Sequence, residues 1–179
     1  MWIRKVHRMR WRWLRILPFC LLLLGACEWD KLIEEANELQ VGDVCPSLTM
    51  TDTNGYLRQI PSSLKPTVIY FFQSTCPECT TQTPVVQRIY DRYGGRINLI
   101  GIARGESDEI AAAYSELHKL TFPVVSDETR RFYNRFATSW VPRIYFCQGD
   151  TIAYLTVEKL LTYDEGVNII ENLLLKQNP

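Results

Sequence analysis

Thr67-Val68-Ile69-Tyr70-Phe71-Phe72 is an unbroken β-branched and aromatic run, and after three polar residues it is followed by Cys76-Pro77-Glu78-Cys79. A run without alternation is the pattern of a strand covered on both faces. From Cys76 to Tyr93 the residues suit a helix, so the cysteine pair falls where a strand ends and a helix begins. The chemistry needs that placement. At a helix N-terminus, unpaired backbone N–H groups and the positive end of the dipole stabilise a thiolate on Cys76. Cys79 lies one turn behind, so a mixed disulfide formed at Cys76 can be resolved without chain movement.

Other uses of the pair are weaker. Zinc needs four ligands, and outside the pair the body offers only His118, Cys45 and Cys147, none at ligand spacing; no metal site is expected. Haem attachment through Cys-x-x-Cys-His fails because Thr80 follows. A permanent structural disulfide stays open as the competitor.

The rest of the chain reads as a single α/β domain. Alternating apolar positions around Asn54-Gly55, within VGDVCPSLTMTDTNGYLRQI, predict a hairpin. Gly94-Gly95 leads into a second buried strand, Ile97 to Ile102, which makes a parallel crossover with the first. Ser107 or Asp108 caps the next helix, with Ile110, Ala113, Tyr114 and Leu117 as its apolar face and an end near Lys119. Phe122 to Val125 is an edge strand or an extended loop, and a further helix is expected from about Asp127 to Phe136. Arg143 to Cys147 and Thr151 to Leu155, joined by Gln148-Gly149-Asp150, form a second hairpin. An amphipathic helix from Tyr163 to about Lys176 has Val167, Ile170, Leu173 and Leu174 on one face. This order predicts a mixed central sheet with helices on both faces and an added N-terminal β-hairpin.

The first 26 residues have a different character. Six of the chain's 20 basic residues lie in the first 15 positions, no acidic residue precedes Glu28, and an 11-residue apolar stretch runs from Ile16 to Ala26. The lengths suit a secretory signal; as a helix the stretch would span about 16 Å, roughly half of a hydrocarbon core. Leu24-Gly25-Ala26-Cys27 resembles a bacterial lipobox, which makes Cys27 the lipidated first residue of the mature chain. Residues 1–26 are thus expected to be a lipoprotein signal peptide, 27–40 a tether or spacer, and 41–179 the domain. The acidic stretch 28–40 reads as a helical spacer or as the first helix of the domain. From Cys27 onward 14 basic residues face 20 acidic ones, which excludes attraction to a nucleic-acid backbone. The expected location is the cell envelope, lipid-anchored to a bacterial membrane on its extracytoplasmic side.

Taken in order, these segments resemble the thioredoxin superfamily, and within it the TlpA/ResA-like branch of exported thiol-disulfide oxidoreductases. VGDVCPSLTMTDTNG is similar to that branch's N-terminal hairpin, and VIYFFQSTCPEC to its active-site strand and motif. Pro84 matches the proline of the active-site helix, INLIGIARGESDE the next strand and loop, and FPVVSDETRRFYNRFATSWVPRIYF the segment leading to the cis-proline. The resemblance covers about residues 41–175. It implies a thioredoxin-like fold, Cys76 as nucleophile, Cys79 as resolving thiol, and Pro142 as the cis-proline. It also implies substrate contacts at Val141, Pro77 and Glu78. A trans proline opening a strand is the alternative at Pro142. The implied activity is reduction of disulfides in exported proteins, with apocytochrome c as one candidate and a membrane thiol donor as electron source. No separate cofactor is required.

Three positions depart from the branch. Thr75 stands where Trp is common, Gln82 where an acidic residue is common, and Tyr70 where thioredoxins keep a buried Asp. Proton transfer from the resolving thiol must then use water, the substrate or Glu78, whose simpler role is a solvated acid in the first helical turn. Cys45 and Cys147 read as buried without a bond, a bridge between them being the alternative. A peroxiredoxin-like thiol peroxidase is the second enzymatic reading; it is weakened by Gln73, where a peroxidatic site usually has Thr. A thioredoxin-fold lipoprotein that only binds, with the cysteines stapling a helix start, is the third.

Overall fold

The computed structural model describes residues 38–157 and 159–176. The signal segment 1–26, Cys27 and positions 28–37 of the expected spacer lie outside the described residues. Of that spacer, Glu38 and Leu39 pack onto the domain: the Leu39 N–H donates to the Phe136 carbonyl at 2.8 Å, and Glu38 pairs with Arg143.

Strands β1 (Leu48–Thr51) and β2 (Leu57–Ile60) form the expected antiparallel hairpin, with Leu48 opposite Ile60. The main sheet comprises β3 (Thr67–Phe72), β4 (Asn98–Arg104), β5 (Val124–Asp127), β6 (Arg143–Gln148) and β7 (Thr151–Thr156), in the order β5-β4-β3-β6-β7. Among the described residues the α-helices are α1 (Pro77–Tyr93), α2 (Asp108–Leu117) and α3 (Tyr163–Leu175).

All six residues of β3 are buried, because it is the middle strand and both of its faces are covered. Val68, Tyr70 and Phe72 join the cluster that takes in α1, α2 and α3. Ile69 and Phe71 point the other way, into a cluster built from the hairpin and from Phe132, Tyr133 and Phe136 around a single 3-10 turn, Tyr133–Arg135. Helical segments therefore cover both faces, though the α-helices lie on one. At Gly166, α3 comes so close to α1 that a β-carbon would collide with the Ile89 side chain.

Register places the chemistry. β4 runs parallel to β3, while β6 runs antiparallel with Arg143 opposite Phe71. Val141 and Pro142, immediately before β6, therefore lie beside the end of β3 and the start of α1. The Val141–Pro142 peptide is cis, as is Ile60–Pro61, which the sequence did not mark.

Two expectations are corrected. In α2 the buried face is Ala111 and Tyr114, with Tyr114 stacked on Phe72 at a centroid distance of 4.8 Å, whereas Ile110, Ala113 and Leu117 face solvent. The helix expected over 127–136 is reduced to the 3-10 turn. Asp127 closes β5, and its carboxylate accepts the N–H groups of Phe132 (3.0 Å) and Tyr133 (2.7 Å). Arg130 takes a left-handed φ of 59°, which interrupts any regular helix between them.

One ion pair holds the segment before β6. Arg143 is buried, and its Nη2 donates to Glu38 Oε2 and to the Ser139 carbonyl, each at 3.0 Å. Glu38 Oε1 accepts from the Ser139 hydroxyl at 2.9 Å. Burial opposes ionisation of Glu38, but Ser139 and Arg143 outweigh it and hold the carboxyl below its usual range. Glu38→Gln leaves the buried guanidinium without its counter-charge and should cost about 3 kcal/mol in urea unfolding at pH 7. Because the folded-state value is depressed, the stabilisation exists above the unfolded carboxyl pKa of about 4.3 and is lost as pH falls below it. The gap between wild type and variant should therefore narrow by pH 3; a constant gap rules out the ionised pair as its source.

Candidate active site

α1 begins with Pro77 at its first position, where the absent N–H is one that has no intrahelical partner anyway. Cys76 is the N-cap, extended at φ −89° and ψ 116°, and its sulfur accepts the Cys79 N–H at 3.2 Å. Sulfur here occupies the place a serine or aspartate oxygen takes at most helix starts. The approach to the cap is fixed by Glu106, a buried side chain from the loop after β4. Its carboxylate accepts the Ser74 N–H at 2.8 Å and the Ser74 hydroxyl at 2.5 Å.

The Cys76 thiol is partly exposed and has two acceptors in reach, the Val141 carbonyl and Glu78 Oε2, each at 3.5 Å. Glu78 is an exposed acid in the first turn of α1. Cys79 is fully buried. Burial, and then its hydrogen bond with the Cys76 sulfur, push the Cys79 thiol well above the ordinary thiol range. The arrangement is asymmetric: one sulfur faces outward and takes a backbone donor, and the other sits behind it and keeps its proton.

Behind Cys79 lies a chain of hydroxyls. The Cys79 carbonyl accepts from Tyr70 at 3.0 Å and from Thr83 at 2.8 Å. Thr83 Oγ1 in turn lies 2.9 Å from the Tyr70 hydroxyl and 2.8 Å from that of Tyr114. Burial pushes the Tyr70 phenol well above its usual range, so it stays neutral. Gln82 is buried too, and its amide clasps Leu161 from both sides: Nε2 donates to the Leu161 carbonyl at 3.1 Å, and Oε1 accepts the Leu161 N–H at 2.7 Å. Tyr70 and Gln82 thus each have structural partners of their own.

Cys76, Pro77, Glu78, Cys79, Val141 and Pro142 come together around the start of α1. Glu78, Val141 and Pro142 share a cavity of about 320 Å³ with Trp140, Lys159 and Leu160. Neither that cavity nor a larger one of about 650 Å³, lined by Tyr154, Leu155, Leu161 and Ile169 among others, is lined by Cys76 or Cys79. Cys45 and Cys147 are not part of this region. They are buried in the cluster on the other face of the sheet and are unbridged. Sequence reasoning missed Glu106, which reads as one acid in a polar loop, and Trp140, whose position directly before Val141-Pro142 was a signal that could have been used.

Two thiols one helical turn apart at the end of such a sheet, one partly exposed and one buried, suit exchange with other disulfides. The class is that of thiol-disulfide oxidoreductases with a thioredoxin-like fold. The chain belongs to the AhpC/TSA family, the match covering residues 41–152. It is 24% identical over 162 residues to sporulation thiol-disulfide oxidoreductase A of Bacillus subtilis, covering 84% of this chain and 97% of that protein. It is 22% identical over 132 residues to the thiol-disulfide oxidoreductase ResA of Geobacillus kaustophilus, covering 73% and 76% respectively. Among solved structures it resembles a thiol:disulfide interchange protein of the thioredoxin family from Chlorobium tepidum. That comparison gives a TM-score of 0.65 at 17% identity over 76% of this chain and 99% of the other.

The asymmetry sets an order of modification. In the reduced protein at pH 7.5, iodoacetamide should label Cys76 at least roughly tenfold faster than Cys79, since Cys76 is partly exposed while Cys79 is enclosed and its burial pushes the thiol upward. Cys45 and Cys147 should stay unlabelled until the protein is unfolded. Peptide mapping against time reads the order, and comparable early labelling of Cys76 and Cys79 contradicts it.

Proposed function

We propose that this protein is a membrane-tethered, exported reductase of protein disulfides working through the dithiol Cys76-Pro77-Glu78-Cys79. The observation that carries the reading is the Cys76 sulfur itself: helix-capping, partly exposed, beside the Val141 carbonyl, with a buried second thiol one turn behind. In the reaction the Cys76 thiolate attacks one sulfur of a substrate disulfide, forming a Cys76-substrate bond and releasing the first substrate thiolate. Cys79 then attacks Cys76, closing the intramolecular disulfide and releasing the second substrate thiolate. Two electrons pass from the dithiol to the substrate, the Cys79 proton goes to the departing sulfur or to water, and an external dithiol donor restores the reduced state. Because the Cys79 thiol is pushed upward, the resolving step should speed up as pH rises.

Val141 and Pro142 form the other wall of the cleft. A substrate strand lying against the Val141 backbone brings its cysteine over Cys76, in the manner of an added β-strand. Glu78 and Pro77 line the approach. Disulfide-containing exported proteins are the substrate class, apocytochrome c among the candidates, and a membrane thiol protein is the class of donor.

The tether is proposed from the lipobox-like Leu24-Gly25-Ala26-Cys27, with lipid on Cys27 and residues 1–26 removed. Among the described residues no helix is long and apolar enough to cross a membrane, so in this reading lipid supplies the attachment. The domain from residue 41 onward then works outside the cytoplasm.

Two experiments test the reading. Cys76→Ser should abolish reduction of insulin disulfides, while Cys79→Ser should accumulate mixed disulfides with partner proteins, visible as bands that disappear on reduction; full activity in Cys76→Ser would sink the mechanism. In a bacterial host, Cys27→Ser should move the protein from the membrane fraction to the soluble extracytoplasmic fraction. Unchanged fractionation would remove the lipid anchor.

A further inference from the structure

Trp140 is the one tryptophan of the chain beyond Trp29, and it is 65% exposed, an unusual setting for the largest apolar side chain. Its backbone is unusual as well, with φ at +70°. A bulky side chain in that region is a true outlier, and such conformations persist only where the surroundings force them. Here the forcing groups are visible. The buried Tyr133 hydroxyl reaches the carbonyls of both Ser139 (2.5 Å) and Trp140 (2.7 Å), and the Ser139 carbonyl is also held by Arg143. The segment is pinned from beneath, and the indole is turned outward.

It is turned toward the chemistry. The next residue is Val141, whose carbonyl meets the Cys76 thiol, and the cavity walled by Trp140, Val141, Pro142 and Leu160 opens beside Glu78 at the start of α1. The walls are mainly apolar, with Glu78 and Lys159 as the charged residues, and two of the lining residues, Glu78 and Val141, are also the acceptors in reach of the Cys76 thiol. Its size, about 320 Å³, is at the small end for a ligand pocket and suits one large side chain rather than a separate small molecule. The position before Cys76 is Thr75, so the aromatic surface of this cleft comes from the opposite wall.

We infer that Trp140 is a specificity-determining residue: it selects polypeptide disulfides whose cysteine is flanked by a large apolar or aromatic side chain, which packs between the indole and Leu160. The inference rests on the proposed disulfide-reducing function and adds the substrate class to it. Packing of one aromatic side chain against another beyond simple burial, together with the area removed from water, supports a preference of about tenfold.

The test uses the reduced full-length protein and three oxidants: a cystine peptide with Phe on both sides of the cysteine, the same peptide with Ser in those places, and oxidised glutathione. Wild type should oxidise about tenfold faster with the Phe peptide than with the Ser peptide. Trp140→Ala should bring the Phe peptide down to the rate of the Ser peptide while leaving the glutathione rate unchanged, and Trp140→Phe should keep most of the preference. Equal rates for the two peptides in wild type overturn the inference and leave the reductase intact. An equal fall with all three oxidants in Trp140→Ala also overturns it, because the side chain would then only support the loop. No oxidation of the wild-type dithiol by any of the three removes the underlying reading and this inference with it.

Discussion

A sulfur atom acting as a helix cap is the interaction on which this site depends. The Cys76 sulfur accepts the Cys79 N–H at 3.2 Å, so the atom that is to react is also the atom that satisfies a backbone donor at the start of α1. That double duty works only if the helix start is held still while the sulfur changes partners. The buried strand β3 fixes the chain on one side of it, and the Ser74–Glu106 hydrogen bonds fix the three-residue approach. Pro77 and the first-turn acid Glu78 suit the first turn of a helix without further help. The reactive centre is thus built on the most enclosed part of the fold and opens at its end.

The opposite wall is held by different means. The segment 138–142 has no regular structure, and its order comes from side chains beneath it: Tyr133 on two carbonyls, Arg143 on one of them, and Glu38 on both Arg143 and Ser139. Arg143 opens β6 opposite Phe71, so the same residue that sets the sheet register also anchors the loop. Glu38 belongs to the stretch that leads in from the N-terminal region, so the cleft wall depends on a residue far from it in sequence. Gln82 connects the active-site helix to Leu161 in a comparable way, through a neutral amide that serves as donor and acceptor at once.

Much of this was legible in the sequence where the signal was a run or a fixed spacing. β3 was visible to the residue because six consecutive β-branched and aromatic positions leave little choice, and the Asn54-Gly55 hairpin because the turn chemistry is local. The cysteine pair could be placed at a helix start for the same reason. The failures arise where a tertiary contact overrides a local pattern. The stretch 127–136 has helical composition, yet Asp127 takes two N–H groups for its carboxylate and leaves a single 3-10 turn. In α2 the choice between neighbouring faces was settled by Phe72, which stacks on Tyr114 and turns Ile110 and Leu117 outward. Glu106 and Gln82 act on backbone groups remote in sequence, and nothing in a single chain's residue pattern announces such pairings.

The second pair of thiols has a consequence for how the molecule handles electrons. Cys147 lies opposite Thr67, at the far end of β3 from Cys76, and it projects with Cys45 into the cluster on the other face of the sheet. The five steps of β3 alone separate the two ends by about 16 Å at ~3.3 Å per residue. Exchange between sulfurs requires direct contact, so the two couples are insulated from one another by the sheet. Turnover at the active-site pair therefore leaves Cys45 and Cys147 untouched, as two buried thiols.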